Sequence, residues 1–281
     1  MELVELSMTT DYVTGLGSPA PYLRSIAAAG FTHVHWCHQW NTDFSYMQSE
    51  IDQIERWLRE YGLTLLDLHG SAGVEKCWTS YVEYERLAGI ELVANRLAMT
   101  ARLGGGAVIM HIPTTPEDAE EASVYWSALR RSLDALAPIS GATGVRIAIE
   151  NGGLGHLDTI ARVFSEYGAD YVGLCYDSGH GNTSGEGLDQ LWRLRDRLIS
   201  LHLHDNDGAS DQHKPMFTGT VDWDRLGAVI ADSAYEKAVS QELSIRLSGL
   251  DEPGLLTQAI EDGRRLTAMI EAHRARRRQP A

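Results

Sequence analysis

The strongest constraint on this chain is a rhythm: short apolar runs recur about 35 residues apart, most with a helical pattern between them. They cover 3–8, 32–36, 63–68, 107–110, 145–149, 171–176, 198–203 and 238–243. Runs this short and β-branched predict mostly buried strands. Between them, Met47, Ile51, Ile54, Leu58 and Tyr61 keep one helical face, and Gly62 stops the helix. Leu87, Ile90, Ala94, Leu97 and Ala101 do the same ahead of Gly104, with Tyr81, Tyr84 and Leu87 read as helix-face packing. Thr115-Pro116-Glu117-Asp118 predicts a helix start, with Thr115 as the cap and Pro116 at the first position. Ile160, Val163, Phe164 and Tyr167 precede Gly168, and Pro253 opens a last helix carrying Leu256, Ile260, Leu266 and Ile270.

Strand–helix alternation repeated eight times predicts an α/β fold, a single (β/α)8 TIM barrel over 1–272, followed by a basic, frayed tail over 273–281. A doubly wound sheet ranks second, because no Gly-x-Gly-x-x-Gly follows the first run and no Walker-type loop occurs. A barrel gathers the C-terminal strand ends at one mouth, where the active site is expected. Those ends read His69, His111, Glu150, Asp177 with His180, His202 with His204, and Glu242, and the loop after the seventh strand adds Asp211 and His213. The run around Glu150 is typical: Val145-Arg146-Ile147-Ala148-Ile149 stops on a carboxylate and an amide, then breaks at Gly152-Gly153. Ending a buried strand on a carboxylate is costly unless the charge has a partner.

Carboxylates and imidazoles without thiolates suit a divalent cation such as Mn2+, Zn2+, Co2+ or Fe2+ rather than a structural zinc knot. Glu150, Asp177, His202 and Glu242 come from consecutive strands and can surround one ion; two carboxylates so close would repel without a cation between them. Trp36 and Trp40 can stack on a sugar ring or pack the barrel rim, and Trp78 has the same two readings. His33 and His35 read as hydrogen-bonded structural residues, and Cys175 as strand packing.

The net charge of −15 disfavours a polyanion partner, so nucleic acid is not expected. Three scattered cysteines point to a reducing compartment, and with no basic leader in view a cytoplasmic location is expected. No apolar run reaches the roughly 18 residues of a membrane span. The sequence allows a homo-oligomer.

Three segments carry a resemblance: Ile147-Ala148-Ile149-Glu150-Asn151, the run from Val172 through Asp177-Ser178-Gly179-His180, and His202-Leu203-His204-Asp205-Asn206. Asp211-Gln212-His213 followed by Gly219-Thr220-Val221-Asp222-Trp223 extends it. Together they resemble the xylose-isomerase-like TIM-barrel superfamily of sugar isomerases, epimerases and endonuclease IV, from about the third strand to Glu242. The resemblance implies a divalent metal, Mn2+ ahead of Zn2+, Co2+ or Mg2+, on Glu150, Asp177, His202 and Glu242. His202 is preferred to His204 because His-x-x-Asp is the superfamily spacing. It implies further that the two glutamates exchange a proton with a carbon beside a carbonyl, through an enediolate, while His180 contacts a substrate hydroxyl. The expected substrate is a sugar, keto-inositol or related polyhydroxy carbonyl compound, and a dehydratase or lyase would use the same enediolate. The rival is an endonuclease IV-like trinuclear zinc site, which His69, His111, Glu150, Asp177, His180, His202, Asp211, His213 and Glu242 also match. Ketohexose 3-epimerases place an arginine where this chain has Gly208, which disfavours that subgroup.

Overall fold

A computed structural model describes residues 4–13, 17–71, 73–153 and 155–278. Its strands are β1 (Leu6–Thr9), β2 (His33–Trp36), β3 (Thr64–His69), β4 (Ala107–Met110), β5 (Arg146–Glu150), β6 (Val172–Asp177), β7 (Leu198–His202) and β8 (Val239–Gln241). All neighbours pair in parallel, in the order β7-β6-β5-β4-β3-β2-β1-β8. Bonds from Leu203 N to Ser240 O at 3.1 Å and from Glu242 N to Leu203 O at 3.1 Å join the two ends of that order. The sheet is therefore a closed (β/α)8 barrel, as the alternation predicts. Each expected strand is present, although Leu3 lies outside the described residues.

The helices are α1 (Ala20–Ala29), α2 (Gln48–Tyr61), α3 (Glu83–Arg102), α4 (Ala119–Thr143), α5 (His156–Glu166), α6 (Ser178–Ser184), α7 (Gly187–Leu194), α8 (Trp223–Asp232) and α9 (Glu252–Arg278). None among the described residues is long and apolar enough to cross a membrane. Strand residues alternate faces. On β5, Ile147 and Ile149 join the large core under the helices, while Ala148 belongs to a separate small cluster with Ala107, Ile109, Cys175 and Ile199. Glu150 shares the parity of Ala148 and so ends inside the barrel, which is what aims it at the mouth.

Several local expectations need correction. The α4 cap is Asp118, whose carboxylate accepts from Glu120 N and Glu121 N, so Thr115 and Pro116 lie in the preceding loop. Tyr81, Tyr84 and Leu87 do not pack; they are among the exposed apolar side chains, because the buried face of α3 runs through Ile90, Val93 and Leu97 instead. The basic run from His273 to Arg278 continues α9. His273 reaches Asp224, Arg274 the Tyr235 carbonyl and Arg277 the Ala231 carbonyl and Asp232, which ties this turn to α8 and the loop after it. Residues 279–281 of the expected tail lie outside the described residues.

The loop between β3 and α3 is pinned from below. Trp78 is fully buried and donates from Nε1 to His111 O at 3.3 Å, while its own carbonyl accepts from Ser132 Oγ at 2.6 Å. Gly89 lets α3 pass against this loop, since a Cβ there would run into the Cys77–Trp78 backbone. Gly141, in α4, faces open space. Gly89→Ala is expected to cost about 1–3 kcal/mol through overpacking. Gly141→Ala is expected to stabilise by about 0.4–1 kcal/mol through lost unfolded-state freedom. Urea midpoints moving in opposite directions would bear out this account of the packing.

Candidate metal centre

The centre begins with Glu150, which is 1% exposed. Beyond it the ladder is continued by a side chain: Asn151 Oδ1 accepts from Asp177 N at 2.7 Å, and its Nδ2 donates to Asp177 O at 3.0 Å. The ends of β5 and β6 are thereby locked together. Asp177 is also the N-cap of α6, accepting from His180 N at 2.7 Å through Oδ1. Its other oxygen lies 3.0 Å from His204 Nε2. The close approach of α6 to β7 requires a glycine at 179, because a Cβ there would meet the His204 ring.

Glu150, Asp177, His202 and Glu242 each turn one ligand atom into a common space, with those atoms all within 4.8 Å of one another. His202 Nδ1 lies 3.1 Å from Glu150 Oε2 and 2.9 Å from Glu242 Oε2. His202 Nδ1 and Glu150 Oε2 are buried, yet neither has a hydrogen-bond partner. They approach without the alignment of a hydrogen bond. An ion with bonds of about 2.1 Å holds adjacent ligand atoms roughly 3.0–3.4 Å apart, so this spacing and these orphaned atoms fit a shared cation.

Two further donor groups flank this one. His69 and His111 each bring Nε2 to 3.5 Å from Glu150 Oε2, and the two nitrogens are 3.2 Å apart. On the other side His204, Asp211 and His213 form a third group. His213 Nε2 lies 3.0 Å from Asp211 Oδ2, and its Nδ1 lies 2.8 Å from Glu242 O. His180 Nε2 lies 3.4 Å from Asp211 Oδ2. His213 holds a left-handed backbone (φ 47), strain of the kind that collects at functional loops.

The electrostatics follow from four carboxylates meeting in one cavity. Burial pushes Glu150 up, but His202 and His111 outweigh it and hold the carboxyl well below its usual range. Burial likewise raises Glu242, and His202 again dominates to bring it well below. In return His202, which burial alone would lower, is carried well above the usual imidazole value by Cys175, Glu242 and Glu150. Asp177 pushes His180 up to about 11, against the opposing effect of burial. His213 is lowered by burial but lifted by Asp211 to about 10.

Of the sequence-predicted residues, Glu150, Asp177, His202 and Glu242 come together, and His69, His111, His180, His204, Asp211 and His213 surround them. The tryptophans divide. Trp40 is 36% exposed, its ring 4.6 Å from that of His69, and it faces the mouth. Trp36 and Trp78 are corrections: both are buried, Trp36 donating to Tyr46 Oη at 2.9 Å, so neither presents a face to a substrate. Asp205, the acid of His-x-x-Asp, turns away and accepts from Trp223 Nε1 at 2.9 Å and Val221 N at 3.1 Å. Sequence reasoning missed Asp67, 2% exposed, whose Oδ1 lies 2.7 Å from His35 Nδ1. Burial raises Asp67, but the adjacent His35 prevails and keeps it below the usual value. The available signal was one acid inside an otherwise apolar strand.

A family model described as a xylose isomerase-like TIM barrel matches residues 23–266. The uncharacterised protein y4fM of Sinorhizobium fredii is 32% identical over 280 residues, 90% of each chain. A probable endonuclease 4 of Mycobacterium ulcerans is 27% identical over 161 residues, 52% of this chain and 61% of that protein. Among solved structures, a D-tagatose 3-epimerase-like protein superposes with a TM-score of 0.76 at 17% identity, covering 97% of this chain and 99% of the other. The IOLI protein with a binding zinc atom superposes with a TM-score of 0.70 at 15% identity, covering 96% and 99%. At such identities the solved structures share the fold. With the family model matched over most of a closed barrel, the chain belongs to the xylose isomerase-like TIM-barrel family.

Proposed function

We propose that this chain is a divalent-metal-dependent isomerase or epimerase of a sugar, keto-inositol or related polyhydroxy carbonyl compound. One observation carries the reading: two glutamates, the buried Glu150 and the partly buried Glu242, approach the same nitrogen of His202 at 3.1 and 2.9 Å. With Asp177 they would hold the ion. When bound, it supplies Lewis acidity to a carbonyl and its neighbouring hydroxyl, easing enediolate formation. The side chains do the rest. One glutamate takes the proton from the carbon beside the carbonyl, and the other returns it. His180, whose Nδ1 lies 2.8 Å from Asn151 O, contacts a substrate hydroxyl. Trp40 offers a half-exposed ring to the apolar face of the sugar.

Support comes from the shared fold of a D-tagatose 3-epimerase-like protein and a zinc-binding relative, and from the acidic charge of −15. Gly208, where ketohexose 3-epimerases carry an arginine, directs the choice away from that subgroup. A small substrate and a cytoplasmic location, with no nucleic acid or membrane partner, complete the reading. The second reading, a trinuclear zinc phosphodiesterase, is favoured by the two extra donor groups and by the endonuclease 4 relatives. Metal analysis separates them: about one ion per chain fits the isomerase, and about three zinc ions fit the phosphodiesterase.

Two outcomes are expected. In D2O with Mn2+, a panel of ketoses and keto-inositols should include one that gains deuterium beside its carbonyl. Glu242→Gln at saturating metal should lower kcat by about 10²–10⁴ with a smaller change in KM. A panel with no exchange at any such carbon would overturn the reading. A third outcome concerns protons. His202 lies well above its usual value in the metal-free chain, so at neutral pH it is protonated, and a metal must displace that proton. Apparent affinity should therefore rise with pH, about tenfold per unit for one proton released, as read by calorimetry in buffers of different ionisation enthalpy.

A further inference from the structure

Beneath the donor cluster the barrel interior is polar, where a TIM barrel is commonly filled by branched apolar side chains. His35 on β2 and Asp67 on β3 are both buried, with His35 Nδ1 and Asp67 Oδ1 2.7 Å apart. The second Asp67 oxygen accepts from the Ser200 hydroxyl on β7. The carboxylate has no proton of its own to give, so the shared proton sits on His35 Nδ1. That arrangement leaves His35 Nε2 buried and without a hydrogen-bond partner.

The His35 ring lies 4.2 Å from the His202 ring, centroid to centroid, with the planes tilted by 56°. His202 turns Nδ1 toward Glu150 and Glu242, and its Nε2 is also buried and unpartnered. An imidazole that gives Nδ1 to an ion carries its proton on Nε2, and such a proton needs an acceptor. The orphan nitrogen of the neighbouring ring, His35 Nε2, is complementary. Cys175 also lies close to His202, and a thiol is a weak acceptor.

We propose that His35, oriented by Asp67 and Ser200, is a positioning residue that accepts the Nε2 proton of His202 and so fixes the tautomer and aim of that ligand. This rests on the reading of His202 as a metal ligand. It adds a line of side chains, Ser200–Asp67–His35–His202, that runs from strand to strand across the barrel interior. Outer partners of this kind are worth about 10–100-fold in metal affinity.

The test is Co2+ titration of the full chain, read by dissociation constant and by the visible ligand-field spectrum, with melting of each metal-free variant as a folding control. His35→Phe is expected to weaken Co2+ binding by about 10–100-fold and to alter the spectrum. His35→Gln, which keeps an acceptor oxygen, should recover most of the loss. Cys175→Ala should change binding less than His35→Phe does. If His35→Phe does not fold, Asp67→Asn carries the same comparison, since it keeps the shape and removes the charge that orients His35. Wild-type affinity and spectrum in the folded His35 or Asp67 variant would overturn the proposal, as would a loss confined to Cys175→Ala. A wild-type chain that takes up no Co2+ would instead overturn the metal reading itself.

Discussion

A negative charge on a residue 1% exposed has to be answered from within the protein, and at Glu150 the barrel answers with four imidazoles. His69, His111, His180 and His202 each bring a ring nitrogen within 3.5 Å of its carboxylate. Asp177, Asp211 and Glu242 add three more acids to the same cavity. Without an ion, protons must do the compensating, which is why His202 sits well above its usual value and His180 and His213 rise to about 11 and about 10. Protons and a divalent cation thus answer the same charge. A cation answers it better, because one ion contacts several carboxylates at once, whereas each proton serves one hydrogen bond.

This convergence follows from parallel strands closing on themselves. In a closed parallel barrel every strand delivers its last residues to one rim, so groups 92 positions apart, Glu150 and Glu242, share a neighbour. Local devices then set the angles. Asn151 replaces the missing ladder bonds between β5 and β6, Asp177 spends one oxygen on capping α6, and Gly179 admits the His204 ring. Strand ends carry the central donors, and loops carry the parts that touch solvent, Trp40 and Asp211.

Periodicity made the strands and the rim legible in the sequence, because alternation and spacing are local properties of the chain. The donor set was legible for the same reason: each member ends an apolar run. Depth was not. Trp36 and Trp78 carry the composition of a sugar platform, but whether an indole faces the mouth or the core depends on which helix packs against it. Tyr84 and Leu87 fit a helical stripe and still face solvent, since the buried stripe of α3 is set by its neighbours and not by its own pattern. Asp67 was hidden by its own strand. A lone acid among leucines carries no sign of the histidine that faces it from β2.

The polar interior bears on why such a barrel keeps groups that do nothing for its stability. Ser7 and Ser240 are register partners on β1 and β8, both fully buried and both with unpartnered hydroxyls. Asp67 carries a charge where an apolar side chain of equal volume would desolvate at less cost. Each such group costs about 1–3 kcal/mol when unsatisfied. A barrel selected for stability alone would replace them with apolar side chains, as in the small cluster of Ala107, Ile109, Ala148, Cys175 and Ile199. The polar wall reaches His202 through His35, and Glu150 ends among His69, His111, His180 and His202. An imidazole on a strand end rotates about two side-chain bonds, and only a neighbour can choose its tautomer. The stability surrendered beneath the site is thus concentrated where rotation and tautomer would otherwise be free.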